Sequence, residues 1–150
     1  MARHDTYLAS FNRMVLPTIS KVQRLVSACL EPKLKPHDLT LAEFRIVGLL
    51  MGESKGLSQK QLAQKLEITA PSLSVAIANL EIKNWVERIT DETDLRVKRI
   101  KVSTKADFSS VATVISSLES DATQGIRQQD LATTLKVLEK ILLNINNMNK

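Results

Sequence analysis

The chain has 150 residues, a formal net charge of +5 and a pI of about 9.5, which fits one compact domain, or one domain with an extension for assembly, and a polyanionic partner. A single cysteine, Cys29, excludes an intramolecular disulfide and points to a reducing compartment. The opening MARHDTYLASF lacks the apolar run of a signal peptide, and no segment approaches the ~20 apolar residues of a membrane span, so a cytoplasmic protein with no membrane partner is expected.

Leu8, Phe11, Val15, Val22, Leu25 and Cys29 recur at helical spacing, so residues 5 to 30 are expected to form a long amphipathic helix that Pro17 kinks or divides. Cys29 is expected to be a buried structural residue on that helix, not an oxidant sensor. EPKLKPH, residues 31 to 37, reads as a turn-rich break. Thr40 with Glu43 is a capping box, and Phe44, Val47, Leu50 and Met51 follow on one helical face. Gly52 to Leu57 reads as a loop.

Ser58 with Gln61 is a second capping box, and Thr69 an N-cap with Pro71 in the first turn behind it. Two short helices result. Leu62, Leu66, Ile68, Leu73 and Ala76 fall where helices crossing steeply bury side chains against each other, with Ala63 small enough for the crossing. This is a helix-turn-helix pattern, although Glu67 stands where many such turns carry Gly. The second helix is expected to end near Asn84, a residue suited to the left-handed position past a helix end.

WVERIT (85 to 90) and VKRIKV (97 to 102) are short alternating β-prone runs, with DETDLR as the turn between them. Residues 88 to 105 carry six basic side chains (Arg88, Arg96, Lys98, Arg99, Lys101, Lys105) against three acidic ones. Thr104 with Asp107 is expected to cap a further helix bearing Phe108, Val111, Ile115 and Leu118 on one face, broken at Gly125. Leu131, Leu135, Leu138, Leu142 and Ile145 then form a heptad seam.

The string LEIKNWVERITDETDLRVKRIKVSTKA resembles the wing of MarR-type regulators, dimeric winged helix-turn-helix transcription factors of bacteria and archaea. The matches are Leu80-Glu81, Arg88, Asp94-x-Arg96 and Ser103-Thr104. They cover roughly residues 38 to 107 in motif, and the likeness extends along the chain in length and helix order. Asn84 and Ala106 depart from glycines usual in the family. Val75 and Asn79 stand where many members carry arginines.

The resemblance implies a mainly α fold with a small β-wing and about six helices. A winged helix-turn-helix DNA-binding region would span residues 37–105, and residues 1–36 and 106–150 would form a helical dimerisation region. In the family the wing Asp braces the Arg, which enters the minor groove. The resemblance carries those roles onto Asp94 and Arg96, with a solvated ion pair as the alternative.

Around the second helix, at 100° per residue, Leu73, Ala76, Ile77 and Leu80 face inward. Pro71, Val75, Ala78 and Ile82 lie opposite. A helix buried on both sides would explain that ridge. So would close approach to the major groove, with Val75 and Ala78 against thymine methyls and Ser72, Ser74 and Asn79 as hydrogen-bonding partners. The expected DNA-facing set is Ser58, Gln59 and Lys60, then Thr69, Pro71, Ser72, Ser74, Val75, Ala78, Asn79 and Lys83, then Arg88, Asp94, Arg96, Lys98 and Arg99 in the wing.

Leu8, Phe11, Val15, Leu131, Leu135, Leu138, Leu142 and Ile145 are the expected dimerisation residues. An intramolecular helical pair is the alternative use of those stripes. His4 and His37 are too few and too isolated for a metal site, and no phosphate loop or nucleophile motif occurs, so neither cofactor nor enzyme activity is expected.

The sequence therefore reads as a homodimeric, sequence-specific regulator of double-stranded DNA, a repressor acting on an AT-rich palindrome. A small-molecule effector is allowed, though no ligand is indicated. The rival is a winged-helix protein-interaction module that has lost DNA binding.

Overall fold

The structure is a computed structural model that describes residues 14–91 and 93–148. The chain forms two compact units, residues 1–114 and 115–150. It is mainly α, with a small three-stranded antiparallel sheet.

Helix α1 runs Val15–Leu34. The expected helical residues before 14, with Leu8 and Phe11, lie outside the described residues. Pro17 sits in the first turn of α1, just after the extended Met14, where its missing N–H has no intrahelical partner to lose. The break expected over EPKLKPH is confined to its second half. α1 continues through Pro32 to Leu34 and passes into a 3-10 turn, Lys35–His37, closed by Asp38 at φ 53°. Leu39 N–H then donates to Leu34 O at 3.3 Å. Leu30 and Leu34 are buried, whereas Val15, Val22, Leu25 and Cys29 are exposed, so Cys29 is not the core residue its helical position suggested.

Helix α2, Leu41–Met51, opens on the Thr40–Glu43 capping box and buries Ile46, Val47 and Leu50; Met51 turns out to solvent. The expected loop ends early, because Leu57–Ser58 forms β1 and pairs with Ile100 and Arg99. Gly56 makes that approach possible. Its φ is +68°, and a Cβ there would lie 2.5 Å from Ile100 O.

Helix α3, Gln59–Leu66, opens on the Ser58–Gln61 capping box. Glu67 takes the left-handed cap, φ 53°, and Ile68 N–H reaches back to Ala63 O at 3.2 Å. Ile68 is exposed, so it is not the buried helix-contact residue that was expected. Helix α4, Ala70–Ile82, starts at Thr69, whose hydroxyl accepts from Ser72 N–H. It ends on Asn84 at φ 61°. Asn84 N–H donates to Glu81 O at 3.0 Å, and Trp85 N–H to Leu80 O at 2.8 Å. A left-handed residue with these two bonds is a Schellman motif, and it turns the chain directly into the wing.

Strands β2, Val86–Thr90, and β3, Lys98–Val102, pair antiparallel with Arg88 opposite Ile100, giving the order β1-β3-β2. Leu34, Ile46, Leu50, Leu62, Leu73, Ile77, Leu80 and Ile100 are the fully buried centre of this unit. Truncating one of them, such as Leu73→Ala, would cost ~2–5 kcal/mol.

Helix α5, Phe108–Ala122, begins after Asp107, whose carboxylate accepts from Ser109 N–H at 3.1 Å. Asp107, not Thr104, is therefore the cap. The hydroxyl and amide of Ser109 hold its carboxyl below the usual carboxylate range. Phe108 meets Trp85 edge-on, with ring centroids 5.4 Å apart, which ties the start of α5 to the base of the wing. Gly125, φ +78°, separates α5 from α6, Gln128–Met148, on which no residue is buried. Among the described residues no helix is long and apolar enough to cross a membrane.

Candidate nucleic-acid interface

α4 is divided as its periodicity requires. Leu73, Ile77 and Leu80 are fully buried, while Pro71, Val75, Ala78 and Ile82 are exposed, Val75 at 64% and Ile82 at 80%. The alternative of a helix buried on both sides is thus excluded within this chain. Polar groups flank the bare ridge. Thr69 Oγ1 donates to Ser72 Oγ at 2.9 Å, and Gln59 Nε2 donates to Ser74 Oγ at 2.5 Å, fixing the start of α3 against α4. Asn79 and Lys60 are exposed.

Three of the expected cations are already committed to carboxylates. Lys83 Nζ lies 3.1 Å from both oxygens of Glu43, a residue only 3% exposed, and 3.6 Å from Asp38. Glu43 also accepts from Thr40 N–H at 2.8 Å. Lys83 therefore clamps the end of α4 to the start of α2 instead of standing free at the surface. Arg88 Nε donates to both Glu81 oxygens, at 2.9 and 3.0 Å. Arg99 Nε donates to Asp91, and Arg99 Nη1 to Gly56 O at 3.2 Å.

Asp91 is the organising residue of the wing, and it was absent from the expected set. It is buried, and its Oδ1 accepts from Thr93 Oγ1 at 2.5 Å, Thr93 N–H at 2.8 Å and Asp94 N–H at 3.0 Å. Its other oxygen takes Arg99. The Thr93 hydroxyl, then the Arg99 guanidinium, then the two amides hold its carboxyl far below the usual carboxylate range; burial opposes them. The Asp-x-Thr spacing is a local signal for such a turn.

Asp94 braces Arg96 through the backbone. Its Oδ1 accepts from Arg96 N–H at 3.0 Å, and no ion pair joins the two side chains. Arg96 is exposed and pairs with no described carboxylate, so its guanidinium stays available at the wing tip. Leu95 beside it is 77% exposed. Lys98 Nζ donates to Thr90 Oγ1 at 2.7 Å and has no acidic partner among the described residues. This unit therefore offers a bare ridge on α4, and the wing offers Arg96 and Lys98 as unneutralised cations.

Residues 37–96 match the family model described as the MarR family. Among solved structures, transcriptional regulator PA3341 is 26% identical at a TM-score of 0.77, over 89% of this chain and 99% of that one. Wild-type MarR of E. coli, in its apo form, is 22% identical at a TM-score of 0.70, over 86% of this chain and 96% of that one. The S. aureus MepR–DNA complex is 22% identical at 0.63, over 87% and 98%. Residues 37–96 are thus similar to the MarR family, and the chain shares the winged helix-turn-helix fold of these solved regulators along most of its length.

Proposed function

We propose that the chain is a homodimeric repressor that reads an AT-rich palindrome in double-stranded DNA and is released by a small-molecule effector. The observation that carries this reading is the exposed ridge Pro71, Val75, Ala78 on a helix whose opposite residues Leu73, Ile77 and Leu80 are fully buried. Small side chains there admit α4 deep into the major groove, where Val75 and Ala78 meet thymine methyls and Ser72, Ser74 and Asn79 meet polar edges or phosphates. Arg96 enters the adjacent minor groove, which is narrow and most negative at A-tracts. Lys60 and Lys98 neutralise phosphates, joined by the helix N-terminus at Thr69. The DNA-bound form of MepR supports a DNA partner for this fold.

Dimerisation supplies the second half-site. On α1, Val15, Leu16, Val22 and Leu25 are exposed; on α6, Leu135, Leu142, Leu143 and Ile145 are exposed. Leu131 and Leu138 of the heptad seam are half-buried. Apolar stripes of this length are left in water only where something else covers them. Residues 1–36 and 106–150 serve this contact, and 37–105 the DNA. Repression is steric, and an effector acts by changing the spacing of the two α4 helices.

The second reading, a protein-interaction module, draws on the commitment of Lys83, Arg88 and Arg99 to carboxylates. Light scattering of the protein alone and with duplex selected from its own genome separates the two. Two chains alone and two per duplex support the regulator. A dimer that retains no duplex at low salt supports the interaction module, and a monomer removes the dimer.

A further inference from the structure

The sheet has a second face. Arg88, Ile100 and Val86 share one side, so the pairs Ile89–Arg99 and Glu87–Lys101 share the other. An open groove of about 500 Å³ lies on that side, between the wing strands and the loop at Ser54 and Lys55. Ile89 supplies an apolar wall, and Lys55, Arg99 and Lys101 supply positive charge.

Only one of these charges is neutralised. Arg99 is paired with Asp91, whereas Lys55 and Lys101 form no ion pair with any described carboxylate. Glu87 stands opposite Lys101 in the strand register but makes no ion pair with it. The Ser54 hydroxyl, which also lines the groove, has no described partner. Two ammonium groups and a free hydroxyl donor around one concavity form a recognition set for an oxyanion.

We propose that this groove binds a small oxyanion, a free carboxylate or phosphate, and that the bound anion competes with Asp91 for Arg99. Asp91 organises the turn that presents Asp94 and Arg96, so occupancy loosens the wing. The binding step stands on the groove alone. Its effect on DNA rests on the regulator reading above.

Inorganic phosphate is the probe, titrated at constant ionic strength against the 15N-labelled 150-residue chain. The backbone amide resonances of Lys55, Thr93 and Asp94 should shift saturably. In a Lys55→Ala, Lys101→Ala double variant that melts as the wild type does, the shifts should vanish. No saturable shift, or the same shift in the variant, overturns the site. Saturating phosphate should weaken duplex binding by at least ~5-fold in the wild type, the lower end of ordinary coupling between two sites, and leave the variant unaffected. Equal weakening in both overturns the coupling to the wing. If the variant alone lowers the log–log salt slope for duplex binding by ~0.9 or more, the groove holds a DNA phosphate and the free-anion assignment falls. A protein that binds no duplex fails the regulator reading and leaves the phosphate titration interpretable.

Discussion

Lys83→Met separates two roles for one side chain, a DNA phosphate contact expected from the sequence and a buried clamp found in the structure. Lys83 Nζ is 3.1 Å from each Glu43 oxygen, and Glu43 is 3% exposed. Removing one partner of a buried ion pair costs ~3–5 kcal/mol, because the other charge stays buried alone. Two features lower that figure here. The Lys83 side chain is 21% exposed, so water already screens the pair, and Thr40 N–H still holds one carboxylate oxygen. A loss of ~2–3 kcal/mol follows, which for a chain of this length is a Tm lower by ~4–12 °C. Methionine keeps the apolar stem, so lost packing adds little. Melting at fixed protein concentration, followed by circular dichroism, reads the effect. Glu43→Gln in the same chain should restore much of the stability, since no charge is then buried unpaired. If Lys83 instead held a phosphate, Lys83→Met would melt as wild type and lower the salt slope of duplex binding by ~0.9. That pair of results would refute the clamp.

Four further outcomes are expected. Ala78→Leu, at an exposed position, should leave the Tm unchanged and reduce operator affinity by ~10-fold or more while sparing a scrambled duplex at low salt; an early melt would put the residue in the core. Arg96→Ala should weaken binding most on AT-rich duplexes in a gel-shift series, and unchanged affinity and preference would remove its minor-groove role. Leu135→Asp with Leu142→Asp, both exposed in the single chain, should give a folded monomer by light scattering; an intact dimer would displace the interface. Asp91 has a folded-state pKa below its unfolded value, so its contribution is complete above the unfolded value and fades as pH falls toward the folded one. The stability difference between wild type and Asp91→Asn should thus be flat from neutral pH down to ~5 and shrink below ~4. A difference that shrinks near neutral pH would contradict it.

What the sequence made legible was local. Thr40–Glu43 and Ser58–Gln61 announce helix starts within four residues, and both capping boxes form. Asn84 announces a helix end through its own backbone preference. The inward and outward faces of α4 follow from helical periodicity alone. Pairings that depend on the completed fold were not legible. Strand β1 is two residues long and exists because Gly56 lets the chain approach Ile100. Lys83 finds Glu43 across 40 positions, and Arg99 reaches both Asp91 and Gly56, so charge alone could not distinguish a neutralised cation from a free one. A count of basic residues in the wing therefore overstated what is available to DNA.

The most direct test is to sequence the fragments that the purified protein retains from its own fragmented genome at moderate salt. The expected result is an enriched, AT-rich inverted repeat with half-sites one helical turn apart, lost from the retained set when Ala78 is replaced by Leu. Retention without any shared sequence, or the same repeat retained by the Ala78→Leu protein, would contradict groove reading by α4.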